Sequence, residues 1–260
     1  MPELIIQRDG PIGRIVFSNP EKYNAMSHTM WAELPPALQD FDSDPAIRLV
    51  VLEGAGDKAF VSGADISQFE SQRTDADAQA LYNATVEAAY QAPVRCSKPV
   101  VAKIRGVCMG GGLGLAAACD VRFCAEGSRF RMPAGRLGLG YNVVGVRRFL
   151  QVLGLQNTLD VFFSARVFDA GEALRMGFVT RVEPVSSFDA VVEAWCQEVA
   201  VNAPLTLRAL KRTTNALIRD PDERDMAEVQ AAIAACFASE DYREGARAFM
   251  EKRLPAFKGA

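Results

Sequence analysis

Two glycine-bearing loops, each placed where the chain leaves an apolar run, constrain this sequence more than any other feature. The first, Ala59-Phe60-Val61-Ser62-Gly63-Ala64-Asp65-Ile66, follows the run Ile47 to Glu53. The second, Cys108-Met109-Gly110-Gly111-Gly112-Leu113-Gly114, follows Pro99 to Arg105. Both runs read as buried strands, and Leu113 to Cys119 reads as the start of a helix. Glycine admits positive φ and lets a ligand come close to the backbone. A helix N-terminus leaves N–H groups without intrahelical partners, and its dipole adds positive potential. Two such N–H groups converging from two loops make an oxyanion hole. Tight helix–strand packing would account for the triple glycine alone, but not for both loops.

Gly112-Leu113-Gly114-Leu115-Ala116-Ala117 also fits the GxGxxA dinucleotide pattern. That chemistry needs an acidic residue at the end of the next strand, about 20 residues on. The window holds Arg131-Met132-Pro133 instead, so the oxyanion reading is preferred. A net charge of −3 gives no basic surplus for nucleic acid. No apolar run is long enough to cross a bilayer, and the first residues lack the apolar core of a signal peptide. The six cysteines (Cys96, Cys108, Cys119, Cys124, Cys196, Cys236) form no CxxC pair, so buried free thiols in a reducing, cytoplasmic setting are expected. His28 is the single histidine. That argues against a two-histidine metal site, and its place in Ser27-His28-Thr29 points to a helix start.

The elements follow an α/β layer order. Leu4 to Arg8 and Ile12 to Phe17 read as a hairpin. Ser27 caps a helix to about Phe41 that Pro35-Pro36 interrupt. Asp75 to Gln91 is helical, Val121 to Cys124 a strand, and Asp169 with Glu172 a capping box closed by Gly177. Phe178 to Val182 is predicted as the last strand. The rest is mostly helical, with Asp220-Pro221 as an N-cap and a final helix from Asp241 to Arg253.

Four motifs in order resemble the crotonase (enoyl-CoA hydratase/isomerase) family: Asn19-Pro20-Glu21-Lys22-Tyr23-Asn24-Ala25-Met26, Ala59 to Ile66, Val107 to Asp120, and Ala248-Phe249-Met250-Glu251-Lys252-Arg253. The resemblance implies a spiral of repeated ββα units over residues 1–200 that holds an acyl-CoA site. Residues 201–260 would form a helical region that mediates trimers or hexamers. By matching positions, the N–H groups of Ala64 and Gly111 are the oxyanion donors. Lys22, Tyr23, Ala25, Ala59, Ser62, Gly63, Asp65, Ile66, Gly110, Pro133, Ala134 and Leu137 are expected along the CoA and acyl channel. Phe249 and Lys252 are expected to approach CoA, in many members from a neighbouring subunit. Coenzyme A would enter only as part of the substrate, with no metal.

The chain departs from the family pattern where hydratases carry two glutamates. Those positions are Gly114 and Ala134. Loss of a positioned acid or base costs a factor of about 10² to 10⁴, so efficient hydration by that route is not expected. A later glutamate position used by a peroxisomal isomerase type is Asn142. Tyr141-Asn142-Val143 resembles the methylmalonyl-CoA decarboxylase branch, whose histidine at position 64 is here Ala64. Decarboxylation of a malonyl-type thioester needs an enolate stabiliser and no general base, and Tyr141 would orient the carboxylate or deliver a proton. A thioester hydrolase or a non-catalytic CoA-binding scaffold are the other readings of the same fold. Arg131 and Arg136 flank the segment and are expected in surface or subunit salt bridges, with pairing to an acidic acyl substituent as the alternative. Asp65 is expected to cap the helix that follows it or to touch the CoA, with capping favoured by residue type.

Overall fold

The computed structural model describes residues 1–65, 67 and 76–260. The chain opens with the hairpin β1 (Glu3–Asp9) and β2 (Ile12–Ser18), antiparallel with Glu3 opposite Ser18. After α1 (His28–Ser43), three turns repeat one plan. Each turn places one strand in a six-stranded sheet, one in a four-stranded sheet, and then a helix. The turns are β3 (Leu49–Gly54), β4 (Ala59–Val61) and α2 (Ala76–Arg95); β5 (Val100–Ile104), β6 (Val107–Met109) and α3 (Gly111–Ala118); β7 (Val121–Ala125), β8 (Arg129–Arg131) and α4 (Val143–Ser164). The six-stranded sheet runs β1-β2-β3-β5-β7-β10 and the four-stranded one β4-β6-β8-β9, where β9 is Val167–Asp169 and β10 is Arg181–Glu183. The parallel pairs β3/β5 and β5/β7 fix the stagger of the turns, with Val50 opposite Val100 and Val101 opposite Val121. This is the crotonase-like ββα spiral.

The remaining helices are α5 (Ala170–Arg175), α6 (Phe188–Ala200), α7 (Pro204–Leu217), α8 (Met226–Ala238) and α9 (Glu240–Glu251). The main core lies between the two sheets and α1 to α4, with Phe17, Trp31, Phe41, Phe60, Phe130 and Phe178 fully buried. A second core packs Phe188, Val192 and Cys196 of α6 against Leu49, Val51 and Phe123 on the opposite face of the larger sheet.

Several local expectations are corrected by packing. Ser27 caps α1, its side chain accepting from the Met30 N–H, but Pro35 and Pro36 sit inside an unbroken helix. An interior proline costs about 3 kcal/mol. The buried stripe Trp31, Leu34, Leu38, Phe41 outweighs that, each such side chain contributing about 1.5–3 kcal/mol. The last strand is Arg181–Glu183 rather than Phe178 to Val182. Gly177 turns the chain at φ 73°, and Phe178 goes instead into an aromatic cluster with Phe130 and Phe168. Asp220 starts only a single 3-10 turn, Pro221–Glu223, and its carboxylate holds Arg147 at 2.9 Å. The true cap is Asp225, which accepts from the Glu228 N–H and starts α8. The Asp169–Glu172 capping box is present. All six cysteines are free, five of them buried. No helix among the described residues is long and apolar enough to cross a membrane.

Candidate active site

The ends of β4 and β6 lie side by side because the two strands pair in parallel, Ala59 with Val107. Both loops therefore leave the same edge. Gly112 makes the contact possible. A Cβ there would stand 2.0 Å from the Val61 carbonyl oxygen, so only glycine lets α3 seat on β4. Gly63, at φ 123°, faces Gly110 and Gly111; a Cβ on it would lie 3.7 Å from the Gly111 nitrogen.

The two expected donors are set by what their neighbours do. Met26 forms an isolated parallel bridge with Ala64. The Met26 N–H donates to the Gly63 carbonyl at 2.8 Å, and the Asp65 N–H donates to the Met26 carbonyl at 2.9 Å. The bridge ties down both residues beside Ala64 and leaves the Ala64 N–H on the opposite side of the strand. Gly111 is the first residue of α3, so its N–H has no carbonyl one turn back. Gly110 is fixed by donation to the Arg131 carbonyl at 2.9 Å.

A cavity of about 270 Å³ opens over these groups. Ser62, Gly63, Ala64, Gly110, Gly111, Pro133, Ala134, Leu137 and Tyr141 all line it. The other expected site residues that the structure describes stand outside this cavity in the single chain. Lys22 pairs with Asp65 at 2.8 Å, and Asp65 also accepts from the Ser67 N–H and hydroxyl. The Lys22 ammonium and the Ser67 donors hold the Asp65 carboxyl below its usual range against the opposing effect of burial. Tyr23 is half exposed in the left-handed region at φ 53°. Ala25 and Ala59 are buried, and the Ala59 carbonyl accepts from Asn24 Nδ2 at 2.7 Å. Phe249 and Lys252 end α9 on an exposed surface. Ile66 lies outside the described residues.

The space above Gly114 is filled from elsewhere. A Cβ on Gly114 would meet the Tyr141 hydroxyl at 2.5 Å and the Tyr90 hydroxyl at 2.9 Å. The Tyr90 oxygen also lies 3.4 Å from where a Gly111 Cβ would be. Tyr90 comes from α2 and is braced edge-on by Trp31, with ring centroids 5.6 Å apart. Tyr141 is braced by Phe149 and Phe162. Burial pushes the Tyr141 phenol up to about 12, partly offset by the Tyr90 hydroxyl, and pushes Tyr90 well above its ordinary value. Both are proton donors at neutral pH. The Tyr141 hydroxyl is buried beside that of Tyr90, and among the described residues no group meets it at hydrogen-bonding geometry.

The cavity holds one carboxylate among the described residues, Glu87, which accepts from Gln91 Nε2 at 3.0 Å. Sequence reasoning missed Tyr90 and Glu87. The signal available was the stripe Tyr82, Val86, Tyr90 on α2, four residues apart. Asn142 lines the cavity, but its side-chain oxygen accepts from the Gly145 N–H at 2.7 Å and caps α4. Arg131 donates to the Ala165 carbonyl and Arg136 is exposed; among the described residues of the single chain neither is in a salt bridge.

Residues 7–260 match the enoyl-CoA hydratase/isomerase family model. A carnitinyl-CoA dehydratase of Salmonella typhi is 32% identical over 261 residues, covering 98% of each chain. A peroxisomal Delta(3,5)-Delta(2,4)-dienoyl-CoA isomerase of Arabidopsis thaliana is 30% identical, covering 96% of this chain and 93% of its own. The crystal structure of an enoyl-CoA hydratase/carnithine racemase from Magnetospirillum magneticum superposes with a TM-score of 0.95 at 33% identity, covering 100% of this chain and 97% of that one. These relatives carry different reaction names. The chain belongs to the enoyl-CoA hydratase/isomerase (crotonase) family.

Proposed function

We propose that this protein binds an acyl-CoA thioester with its carbonyl oxygen on the Ala64 and Gly111 N–H groups and works by stabilising the enolate, with phenols in place of the usual glutamates. The observation that carries this reading is the pair of tyrosine hydroxyls over Gly114. The best-matched reaction is decarboxylation of a malonyl-type acyl-CoA. The bond from Cα to the carboxylate breaks, carbon dioxide leaves, and the electron pair moves into the thioester carbonyl as an enolate. Two fixed N–H donors stabilise that charge without reorganising. Tyr141 or Tyr90 then gives its proton to Cα, and the phenolate recovers one from solvent. No base is needed to start the reaction.

Glu87 favours a second reading, in which one carboxylate shuttles a proton along the acyl chain and the reaction is a double-bond isomerisation. A homotrimer or hexamer accompanies either reading. Its support is the apolar surface of the last helices, where Phe237, Phe249, Met250 and Leu254 are 64–89% exposed in the single chain.

The test is to incubate the protein separately with crotonyl-CoA, methylmalonyl-CoA and ethylmalonyl-CoA and follow all acyl-CoA species by mass. Loss of carbon dioxide with crotonyl-CoA untouched supports the enolate reading. Rapid addition of water to crotonyl-CoA overturns it. Migration of the double bond in a 3-enoyl-CoA, lost in Glu87→Gln, would favour the isomerase.

A further inference from the structure

A second cavity, of about 380 Å³, lies on the other side of Tyr90 from the first. Tyr90 is the one described residue that lines both. The near walls of the second cavity are Gly114, Ala118, Val143 and Val144, and its far walls carry Arg95, Arg147, Arg148 and Arg219. Arg147 is paired with Asp220 and Glu223, and Arg148 donates to the Ala117 and Cys119 carbonyls at the end of α3.

The partition between the two spaces is a pair of phenols. A Cβ on Gly114 would stand 2.5 Å from the Tyr141 hydroxyl and 2.9 Å from both Cζ and the hydroxyl of Tyr90, so the space over Gly114 is already taken. Tyr141 faces the first cavity, whereas Tyr90 faces both. The Tyr90 ring is held edge-on by the fully buried Trp31, which clamps it between α1 and α2. Gly114 lies one turn of α3 beyond Gly111, about 5 Å along the axis. The block therefore stands one helical turn from the expected oxyanion donor.

The volume left in front of the block sets a limit. At roughly 30 Å³ for a water-sized group, 270 Å³ takes about nine such groups. The carbon, oxygen and sulfur of the thioester use three, which leaves about six heavy atoms for the rest of the acyl group. A methylmalonyl or ethylmalonyl group fits within that limit, and a ten-carbon chain does not. A longer tail turned away from Tyr90 meets Asn83, Glu87 and Asn142, and burying those polar groups opposes binding.

We infer that Tyr90 is the stop of the acyl site: it closes the first cavity, confines the site to short acyl groups and keeps the second cavity out of reach. The inference rests on the acyl-CoA reading above and adds the size class of the substrate. It makes Tyr90 a specificity-determining residue as well as a candidate acid.

The experiment is calorimetric titration of the full-length protein with acetyl-, butyryl-, hexanoyl-, octanoyl- and decanoyl-CoA. These saturated thioesters carry no carboxylate to lose, so binding is read without decarboxylation. Each methylene that enters the site should tighten binding by up to about fourfold. Wild-type affinity is expected to rise at least fivefold from acetyl- to hexanoyl-CoA and to level or fall beyond it. In Tyr90→Leu, which keeps an apolar side chain against Trp31, the ratio of decanoyl-CoA to acetyl-CoA affinity should rise at least tenfold over wild type. Adding Val144→Phe fills the second cavity beside Gly114 and should return that ratio to within threefold of wild type. A wild-type affinity that keeps climbing to decanoyl-CoA, or is flat from acetyl-CoA onward, overturns the inference even if neither variant folds. So does a Tyr90→Leu protein that shifts every chain length alike, as loss of a packing residue would, or a gain that Val144→Phe leaves unchanged. Each of these outcomes leaves the acyl-CoA reading standing. Failure of every acyl-CoA to bind, acetyl-CoA included, overturns that reading itself.

Discussion

The two cavities that meet at Tyr90 are built by different means. Around Ala64 and Gly111 the chemistry is carried by backbone, and the side chains are absent, small or neutral apart from Glu87 at the edge. Beyond Tyr90 the backbone is helical, and the chemistry is carried by arginine side chains. Backbone donors are positioned by strand pairing, so they stay in place while the residues around them change. Side-chain cations are positioned by rotamers and change with a single substitution. The first cavity is therefore set by the fold and the second by this particular sequence, which fits relatives named for different reactions.

The largest effect expected from breaking this division is Ala64→Pro. It removes one donor N–H, so turnover should fall by about 10² to 10³, with acyl-CoA binding by calorimetry held within a few-fold. Unchanged turnover would sink the oxyanion assignment, and a protein that never turned over but kept a partner would be a scaffold. Tyr90→Phe comes next. Loss of a positioned acid should slow proton delivery to the enolate by about 10²-fold, read as a lower kcat with little change in KM. A change confined to KM would make Tyr90 a packing residue.

Gly114→Ala should destabilise the fold by about 1–3 kcal/mol, because the new methyl meets the Tyr141 oxygen. In a Tyr141→Phe background part of that cost should vanish, the Tyr90 ring still standing 2.9 Å away, giving a coupling of about 0.5 kcal/mol or more in a double-mutant cycle. Additive behaviour would mean that the hydroxyl does not occupy the space above Gly114. A pH series tests the same buried groups. Burial moves Cys96, Cys119, Cys124 and Cys196 from 9.0 to about 12 and Tyr141 from 10.0 to about 12. Above pH 9 the unfolded chain loses these protons first and so binds fewer than the folded chain, and stability falls as pH rises towards 12. Melting temperatures at pH 8, 9.5 and 11 should decline with increasing slope, and a flat series would contradict the burial of these groups. The smallest effect is Lys22→Gln. It should cost about 1 kcal/mol or less, since Lys22 is half exposed and Ser67 still serves Asp65. A larger loss in CoA affinity than in stability would return Lys22 to the ligand path.

What could be read from the sequence follows the range of the interactions involved. The glycine loops, the Ser27 cap and the Asp169–Glu172 box act over a few residues, and each was visible in the order of residue types. The crotonase-like spiral was legible through four motifs in order. Tyr90, Glu87 and the arginine-lined cavity were not legible, because they depend on where α2 and α7 pack, over 20 and 100 residues from Gly114. The continuation of α1 through Pro35-Pro36 failed for the same reason. Local propensity speaks against it, and only the burial of Leu34, Leu38 and Phe41 decides it. Asp65 was read as either a cap or a CoA contact, and in the single chain its oxygens are taken up by Lys22 and Ser67.

The placement of the indole rings gives the molecule a built-in optical reporter. It has two tryptophans. Trp31 is fully buried, lines the cavity over Gly111, and its Nε1–H finds no acceptor among the described residues. Trp195 packs on Phe123 in the other core, on the far face of the larger sheet. A Trp195→Phe protein would keep a single fluorophore whose emission answers to whatever enters beside Tyr90. Occupancy of the thioester site could then be followed on the millisecond scale without a labelled ligand.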